Sequence, residues 1–89
     1  DLVRAQLLVA SGAPLPWTQE QVSQRGHAVQ ARVYAEDPAR GFLPQAGRLL
    51  LYREPSIPGI RVDSGVREGD QISVFYDAML AKVIATAET

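Results

Sequence analysis

Arg32 is the residue whose setting in this sequence best suits chemistry on an anion. Polar and apolar residues alternate from 27 to 36, so Gln30, Arg32 and Tyr34 should project together from one face of a strand. A guanidinium braced in this way presents five N–H donors to a carboxylate, a phosphate or an oxygen that gains negative charge. The structural alternative is an ion pair of Arg32 with Glu36 or with a more distant acid.

Other catalytic arrangements find little support in the residue types. The single histidine, His27, opens a strand and is predicted to be a hydrogen-bonded structural imidazole, and none of the five serines stands in a Gly-x-Ser-x-Gly turn. Cysteine is absent, and the acidic pairs Glu36-Asp37 and Glu68/Asp70 are typical of solvated turns. We therefore predict no catalytic triad, no metal site and no nucleotide-phosphate loop.

Composition excludes several further classes of protein. The chain has 89 residues, a formal charge of −1 and 46% hydrophobic residues, with no apolar run long enough to span a bilayer. The near-neutral charge argues against binding to nucleic acid, and disulfides are impossible. We expect one small domain that depends on its own apolar core. Because the first residue is Asp1 and the one methionine is Met79, we also expect a piece of a longer polypeptide.

The elements that must position Arg32 follow from patterning. Asp1 and Gly12 suit the two ends of a first helix, and Thr18 with Gln21 has capping-box spacing for a short helical turn. Strands, loops and a hairpin turn follow, and the last segment favours strand over helix on length. The predicted ranges are a helix at 1–12, a helical turn at 18–24, strands at 27–36, 47–53, 60–66, 71–76 and 79–86, loops at 39–46 and 54–59, and a hairpin turn at 67–70. This order predicts an α+β fold in which one N-terminal helix precedes about five mainly antiparallel strands.

Several motifs, in a consistent order, resemble biotin carboxylases, the ATP-grasp components of biotin-dependent carboxylases. Residues 26–38, GHAVQARVYAEDP, are similar to the family segment GHA(I/V)ExR(I/L)xAEDP. The family's FLPsxG, RVDSGV and GDxVSxxYDPMLAKL resemble residues 42–47, 61–66 and 69–82, and its DLVxxQL helix resembles 1–7. The finer resemblance is to α subunits of methylcrotonyl- or geranyl-CoA carboxylases rather than acetyl-CoA carboxylase. The resemblance implies the C-terminal domain fold of biotin carboxylases, a rudiment single-hybrid-like fold.

This resemblance also implies a reaction and a catalytic residue. In the family, MgATP activates bicarbonate as carboxyphosphate, and the carboxyl group passes to N1′ of biotin on a carrier domain. The family's arginine that stabilises negative charge on the ureido oxygen of biotin matches Arg32. Gln30, Tyr34 and Asp77 are candidate binding residues, and Arg61 matches an arginine at the dimer interface of bacterial relatives. The sequence departs from the family at Gln30, where Glu is usual, and at Ala78, where Pro is usual.

The resemblance implies a domain organisation, partners and a location. Residues 1–25 would be a helix and linker leading from an ATP-grasp part, and residues 26–89 the start of the C-terminal domain. ATP, Mg²⁺ and bicarbonate would be bound mainly by the preceding part, so the isolated piece should be inactive. A biotin carboxyl carrier domain and a carboxyltransferase β subunit would be partners in an oligomeric enzyme, cytoplasmic in a bacterium or in the mitochondrial matrix of a eukaryote. The alternatives are a non-catalytic interaction module, or the same domain of a urea, pyruvate or acetyl-CoA carboxylase.

Overall fold

The computed structural model describes residues 1–88, which form one α-helix followed by seven β-strands. Helix α1 spans Leu2–Ala10. It begins where the sequence predicts, because a carboxylate oxygen of Asp1 accepts a hydrogen bond from the backbone N–H of Arg4 at 3.0 Å. Its C-terminal side is closed by Gly12 with φ +88°, a left-handed conformation that favours glycine.

The predicted helical turn at 18–24 is present but shorter. A 3-10 turn covers Gln19–Gln21, and the side-chain oxygen of Gln21 accepts a hydrogen bond from the backbone N–H of Thr18 at 2.8 Å. This contact is half of the predicted capping box. A nearby open groove between α1 and the following linker is lined mainly by apolar side chains, among them Leu2, Val9, Leu15 and Trp17.

The main sheet has three antiparallel strands. Strand β1 spans His27–Tyr34, β5 spans Ile60–Ser64 and β7 spans Met79–Ala87, in the order β1–β7–β5. The final segment is therefore a strand, as its length and β-branched residues favoured, and it occupies the centre of the sheet. The fold class is confirmed: a helix precedes antiparallel strands arranged in small sheets.

Two additional pairs of short strands flank this sheet. Strand β2, Glu36–Asp37, pairs with β3, Leu43–Pro44, and a 3-10 turn at Pro38–Arg40 joins them. The prediction that 39–46 is entirely loop is therefore wrong. Strand β4, Gly47–Arg48, pairs with β6, Gln71–Ile72.

The predicted strands at 47–53 and 71–76 are each much shorter than expected. After Arg48, the ladder continues for one residue, since the N–H of Leu49 donates to the carbonyl of Asp70 at 2.9 Å. The N–H of Tyr52 then donates to a carboxylate oxygen of Glu68 at 3.0 Å. A side chain has taken the place of a strand carbonyl, so regular pairing ends.

The predicted hairpin at 67–70 forms its turn but not the expected strand pairing. The N–H of Asp70 donates to the carbonyl of Arg67 at 3.1 Å, and the Asp70 carboxylate accepts from the N–H of Arg67 at 2.8 Å. The strands on either side do not pair with each other: β5 pairs with β7, and β6 pairs with β4. The turn directs the chain from one sheet into another.

The expectation of a self-sufficient apolar core is wrong. Among the residues the structure describes, the buried hydrophobic ones are Ala5, Ala78 and Ala81, and no side chain is nearly completely buried. The accessible surface is 7764 Å², whereas a compact protein of this mass exposes about 5,100 Å². The radius of gyration is 18.1 Å against about 12 Å for a compact chain of this length. Large apolar side chains such as Val29 therefore remain on the surface.

Gly26 allows the first pairing of β1 with β7, and we expect Gly26→Ala to weaken it. Gly26 has φ +67°, and an added Cβ would lie 2.6 Å from the carbonyl oxygen of Ala87. The combined backbone strain and clash should cost about 2–3 kcal/mol in the local opening free energy of β1 and β7. Hydrogen exchange of peptides from both strands in the full-length protein measures this loss.

Gly12→Ala is the matched control. Gly12 also has a positive φ, but nothing lies within 4 Å of the added Cβ. It should cost about 1 kcal/mol and leave exchange in β1 and β7 unchanged. Equal protection of β7 in the Gly26→Ala protein and the wild type would contradict the role assigned to Gly26.

Candidate functional site

The polar face of β1 is formed as the sequence predicts. Gln30, Arg32 and Tyr34 alternate with Val29, Ala31 and Val33 along an eight-residue strand. The strand is paired along its whole length with β7, with a register irregularity only between Val33 and Tyr34. The three polar side chains therefore share one face of the main sheet.

The register places two further charged residues in a row with Arg32. Arg32 lies directly opposite Lys82 of β7, and Lys82 lies directly opposite Asp63 of β5. Cβ atoms of directly opposite residues in antiparallel strands are about 4.5–5.5 Å apart. The row runs across all three strands as cation, cation and anion.

Arg32 has no ion-pair partner within residues 1–88. The alternative in which Arg32 pairs with Glu36 is not realised, because Glu36 lies half-buried in β2, opposite Pro44. The Arg32 side chain is exposed. Its guanidinium donors are therefore available to an anionic ligand.

Arg61 and Asp63 form a two-pronged ion pair on the same face of β5. Nε and one terminal nitrogen of Arg61 each donate to a different carboxylate oxygen of Asp63 at 2.8 Å. These hydrogen bonds are the main reason that the pKa of Asp63 lies below its ordinary value, with a smaller lowering by the charge of Lys82. The same contact raises the pKa of Arg61. Asp63, the residue directly opposite Lys82, is therefore already paired with Arg61.

Asp77 lies outside the strand row. Its carboxylate accepts a hydrogen bond from the backbone N–H of Met79 at 3.1 Å, which closes the turn before β7. Met79 pairs with Tyr34 at the end of β1. Asp77 stands two residues before Met79 in the chain and therefore lies just beyond this end of the polar face. The structure thus gives Asp77 a local role at the entrance to β7.

His27 and Ser64 lie apart from the row formed by Arg32, Lys82 and Asp63. His27 begins β1, and alternation places it on the face opposite to Arg32. The hydroxyl of Ser64 accepts from the hydroxyl of Tyr52 at 2.8 Å and donates to the carbonyl of Val66 at 2.9 Å. Within residues 1–88, no three His, Cys, Asp or Glu side chains cluster as metal ligands, and no helix has the length and apolarity needed to cross a membrane.

Sequence reasoning missed Lys82 and Asp63. Both lie in segments whose alternation is visible in the sequence, but the sequence does not show which of these strands pair with one another. The missing information was the pairing of β7 with both β1 and β5. Once that register is known, it places Arg32, Lys82 and Asp63 side by side on one face of the sheet.

The fold is one helix followed by small antiparallel sheets, and the candidate site is an exposed arginine that has no ion-pair partner within residues 1–88. Residues 30–89 match the family described as the biotin carboxylase C-terminal domain. The chain belongs to this family.

Curated relatives agree with the family assignment. The mitochondrial propionyl-CoA carboxylase alpha chain of Caenorhabditis elegans is 52% identical over 86 residues, which cover 94% of this chain and 12% of that protein. The mitochondrial methylcrotonoyl-CoA carboxylase subunit alpha of Glycine max is 49% identical over 88 residues, covering 99% of this chain and 12% of that protein. The chain spans about an eighth of the length of these relatives.

Solved structures share the fold. The biotin carboxylase domain of 2-oxoglutarate carboxylase from Hydrogenobacter thermophilus, in complex with MgADP, ADP and bicarbonate, matches with a TM-score of 0.93 and 36% identity, covering 99% of this chain and 19% of that chain. Pyruvate carboxylase of Rhizobium etli matches with a TM-score of 0.93 and 40% identity, covering 99% of this chain and 9% of that chain.

The Arg61–Asp63 pair predicts a pH-dependent effect of Arg61→Gln on stability. Because the pKa of Asp63 is lowered below the unfolded value of about 3.9, the pair stabilises the folded protein above that value and is lost as pH falls through the lowered pKa. The full-length Arg61→Gln protein should therefore unfold at a lower temperature than the wild type near neutral pH. This difference should shrink at acid pH, as measured by thermal unfolding from pH 3 to 7.

Arg48→Gln removes an equal charge from β4 as a control. Arg48 has no ion-pair partner within residues 1–88, so its effect should vary less with pH. An Arg61→Gln effect that stays constant across the same pH range would contradict the stabilising role of the pair.

Proposed function

We propose that this chain forms part of the biotin carboxylase component of a biotin-dependent acyl-CoA carboxylase. In that enzyme, ATP and bicarbonate would carboxylate biotin on a carrier domain. The family match and the two acyl-CoA carboxylase relatives support this proposal. The observation that carries it is the exposed, unpaired Arg32 in the middle of the polar face of β1.

Arg32 fits the oxygen of a biotin ureido group that gains negative charge. The guanidinium is planar and always protonated, and it is mounted on a strand that is paired throughout its length. Its N–H groups would donate to that oxygen while the adjacent nitrogen loses its proton and gains the carboxyl group. Such a donor stabilises the transition state more than the ground state because the charge on the oxygen grows during the reaction.

Gln30 and Tyr34 are proposed to bind on either side of Arg32. Both residues lie on the same face of β1 as Arg32, and each is two residues away from it along the strand. The Gln30 amide can donate and accept, and the Tyr34 hydroxyl can do the same, so both can orient a neutral polar ligand. Gln30 adds no negative charge beside Arg32, which leaves the guanidinium free of an adjacent carboxylate on its own strand.

Asp77 and Arg61 are proposed to act at the borders of the site. Asp77 lies in the turn that leads into β7, so a ligand contact there would be coupled to the position of the central strand. The side chain of Arg61 is 72% exposed even while paired with Asp63, which leaves surface available for a subunit interface.

The rest of the enzyme is proposed to complete the domain. We assign residues 1–25 to the helix and linker that follow an ATP-grasp part, and 26–89 to the start of the C-terminal domain. The large exposed apolar surface supports this assignment, because it needs cover that these residues do not supply. ATP, Mg²⁺ and bicarbonate would be bound mainly outside this chain, so residues 1–89 alone should be inactive.

The acceptor and partners are inferred from the relatives. The two curated relatives are acyl-CoA carboxylases, which favours an acyl-CoA as the acceptor. One of these relatives acts on propionyl-CoA by its name and the other on methylcrotonoyl-CoA. A biotin carrier domain and a carboxyltransferase β subunit would assemble with the subunit into an oligomer. The enzyme would lie in the mitochondrial matrix of a eukaryote or the cytoplasm of a bacterium.

Arg32→Lys in the full-length subunit tests the function. Lysine keeps the charge but loses the planar set of donors, so kcat for biotin carboxylation should fall by about 10²–10³. The KM for ATP should change by less than about threefold, because Arg32 is assigned to biotin and not to the nucleotide. Steady-state ATP hydrolysis with and without free biotin measures both quantities.

Arg53→Lys is the matched control. Arg53 is exposed in the loop before β5 and makes no ion pair within residues 1–88, so this change should leave both constants unaltered. Equal losses in biotin turnover and ATP binding for Arg32→Lys would overturn the assigned role of Arg32. A wild-type protein without biotin-dependent turnover would instead favour the non-catalytic interaction module.

A further inference from the structure

The polar face of the main sheet holds further charged residues beside Arg32. In addition to Arg32, it holds Lys82 on the central strand and the Arg61–Asp63 pair on the far strand. Three cations and one carboxylate thus share a face in a chain whose overall charge is −1. Lys82 stands between Arg32 and that carboxylate.

Arg32 and Asp63 are close enough for an ion pair to be possible. They are partners of the same residue on opposite edges of β7, so two strand spacings, about 10 Å in total, separate their backbones. An extended arginine and an aspartate can together bridge this gap. Such a pair would turn the guanidinium inwards over β7 and occupy the donors that a ligand needs.

Two features of the structure oppose this pair. Arg61 engages both carboxylate oxygens of Asp63. The half-buried Lys82 lies directly between the two residues, and its charge contributes to the lowered pKa of Asp63. A lysine directly opposite an arginine destabilises an antiparallel pair, so its presence at this register position carries a cost that a neutral residue would avoid.

We infer that Lys82 is a positioning residue for Arg32. Lys82 lies on the strand between Arg32 and Asp63, and its positive charge keeps the guanidinium of Arg32 from turning towards the Asp63 carboxylate and so leaves it free for an anionic ligand. Lys82 itself need not touch the ligand. The inference rests on the proposed function of Arg32 and adds a cause for its unpaired state.

A double-mutant cycle in the full-length subunit tests this inference. Lys82→Met removes the charge but keeps most of the apolar stem, and it should lower kcat for free biotin about tenfold, with the KM for ATP within about twofold. Asp63→Asn alone should change kcat by less than about threefold. The Lys82→Met/Asp63→Asn protein should recover to within about threefold of the wild type, because no carboxylate remains to capture Arg32.

Two further variants separate positioning from general disruption of the sheet. Lys82→Arg keeps a cation at the same register position and should retain kcat within about threefold. Arg48→Met removes one positive charge from β4, outside the main sheet, and should have no effect on biotin turnover. Thermal unfolding of each variant shows whether a loss of kcat accompanies a loss of folded protein.

Loss of kcat in Lys82→Met without recovery in the double variant would overturn the inference, since a structural defect is not repaired by removing Asp63. Unchanged kcat in Lys82→Met would overturn it as well. In both cases a strong effect of Arg32→Lys would leave the proposed function standing. A wild-type protein with no biotin-dependent turnover would overturn the proposed function and this inference together.

Discussion

The antiparallel pairing of β7 with β1 on one edge and β5 on the other is the constraint on which the rest of the site depends. Because successive side chains in a strand point to opposite faces, a slip of one residue at either edge would move Arg32 or Asp63 to the other face relative to Lys82. The observed register aligns all three residues in one row. The close approach of Gly26 to the Ala87 carbonyl allows the pairing at one end of this register.

The charged residues around Arg32 matter to the site as much as the hydrogen-bond donors of its guanidinium. An arginine on an exposed strand is useful to a ligand only if no protein carboxylate captures it first. Here the nearest acid on the face is held by Arg61 through two hydrogen bonds, and Lys82 separates it from Arg32. Large apolar side chains are exposed among the described residues, and we propose that the rest of the enzyme covers them.

Local sequence signals predicted the parts of the fold that local interactions determine. Asp1 and Gly12 close α1, and eight of the ten alternating residues form β1 and place Arg32 on its polar face. Pairing between distant segments was not predictable in this way: the turn at 67–70 suggested a local hairpin, yet β6 pairs with β4. The Glu68 carboxylate that ends the second predicted strand at Tyr52 also acts across 16 residues. Lys82 was missed for the same reason, since its role depends on two non-local strand pairings.

We propose that Arg32 is kept free for the oxygen of biotin that gains negative charge. A structure of the full-length carboxylase with carrier-linked biotin in its site would test it most directly. We expect a guanidinium nitrogen of Arg32 within about 2.7–3.2 Å of the biotin ureido oxygen, with the Arg61–Asp63 pair intact. An Arg32 side chain turned over β7 into an ion pair with Asp63 while biotin is bound would contradict the account.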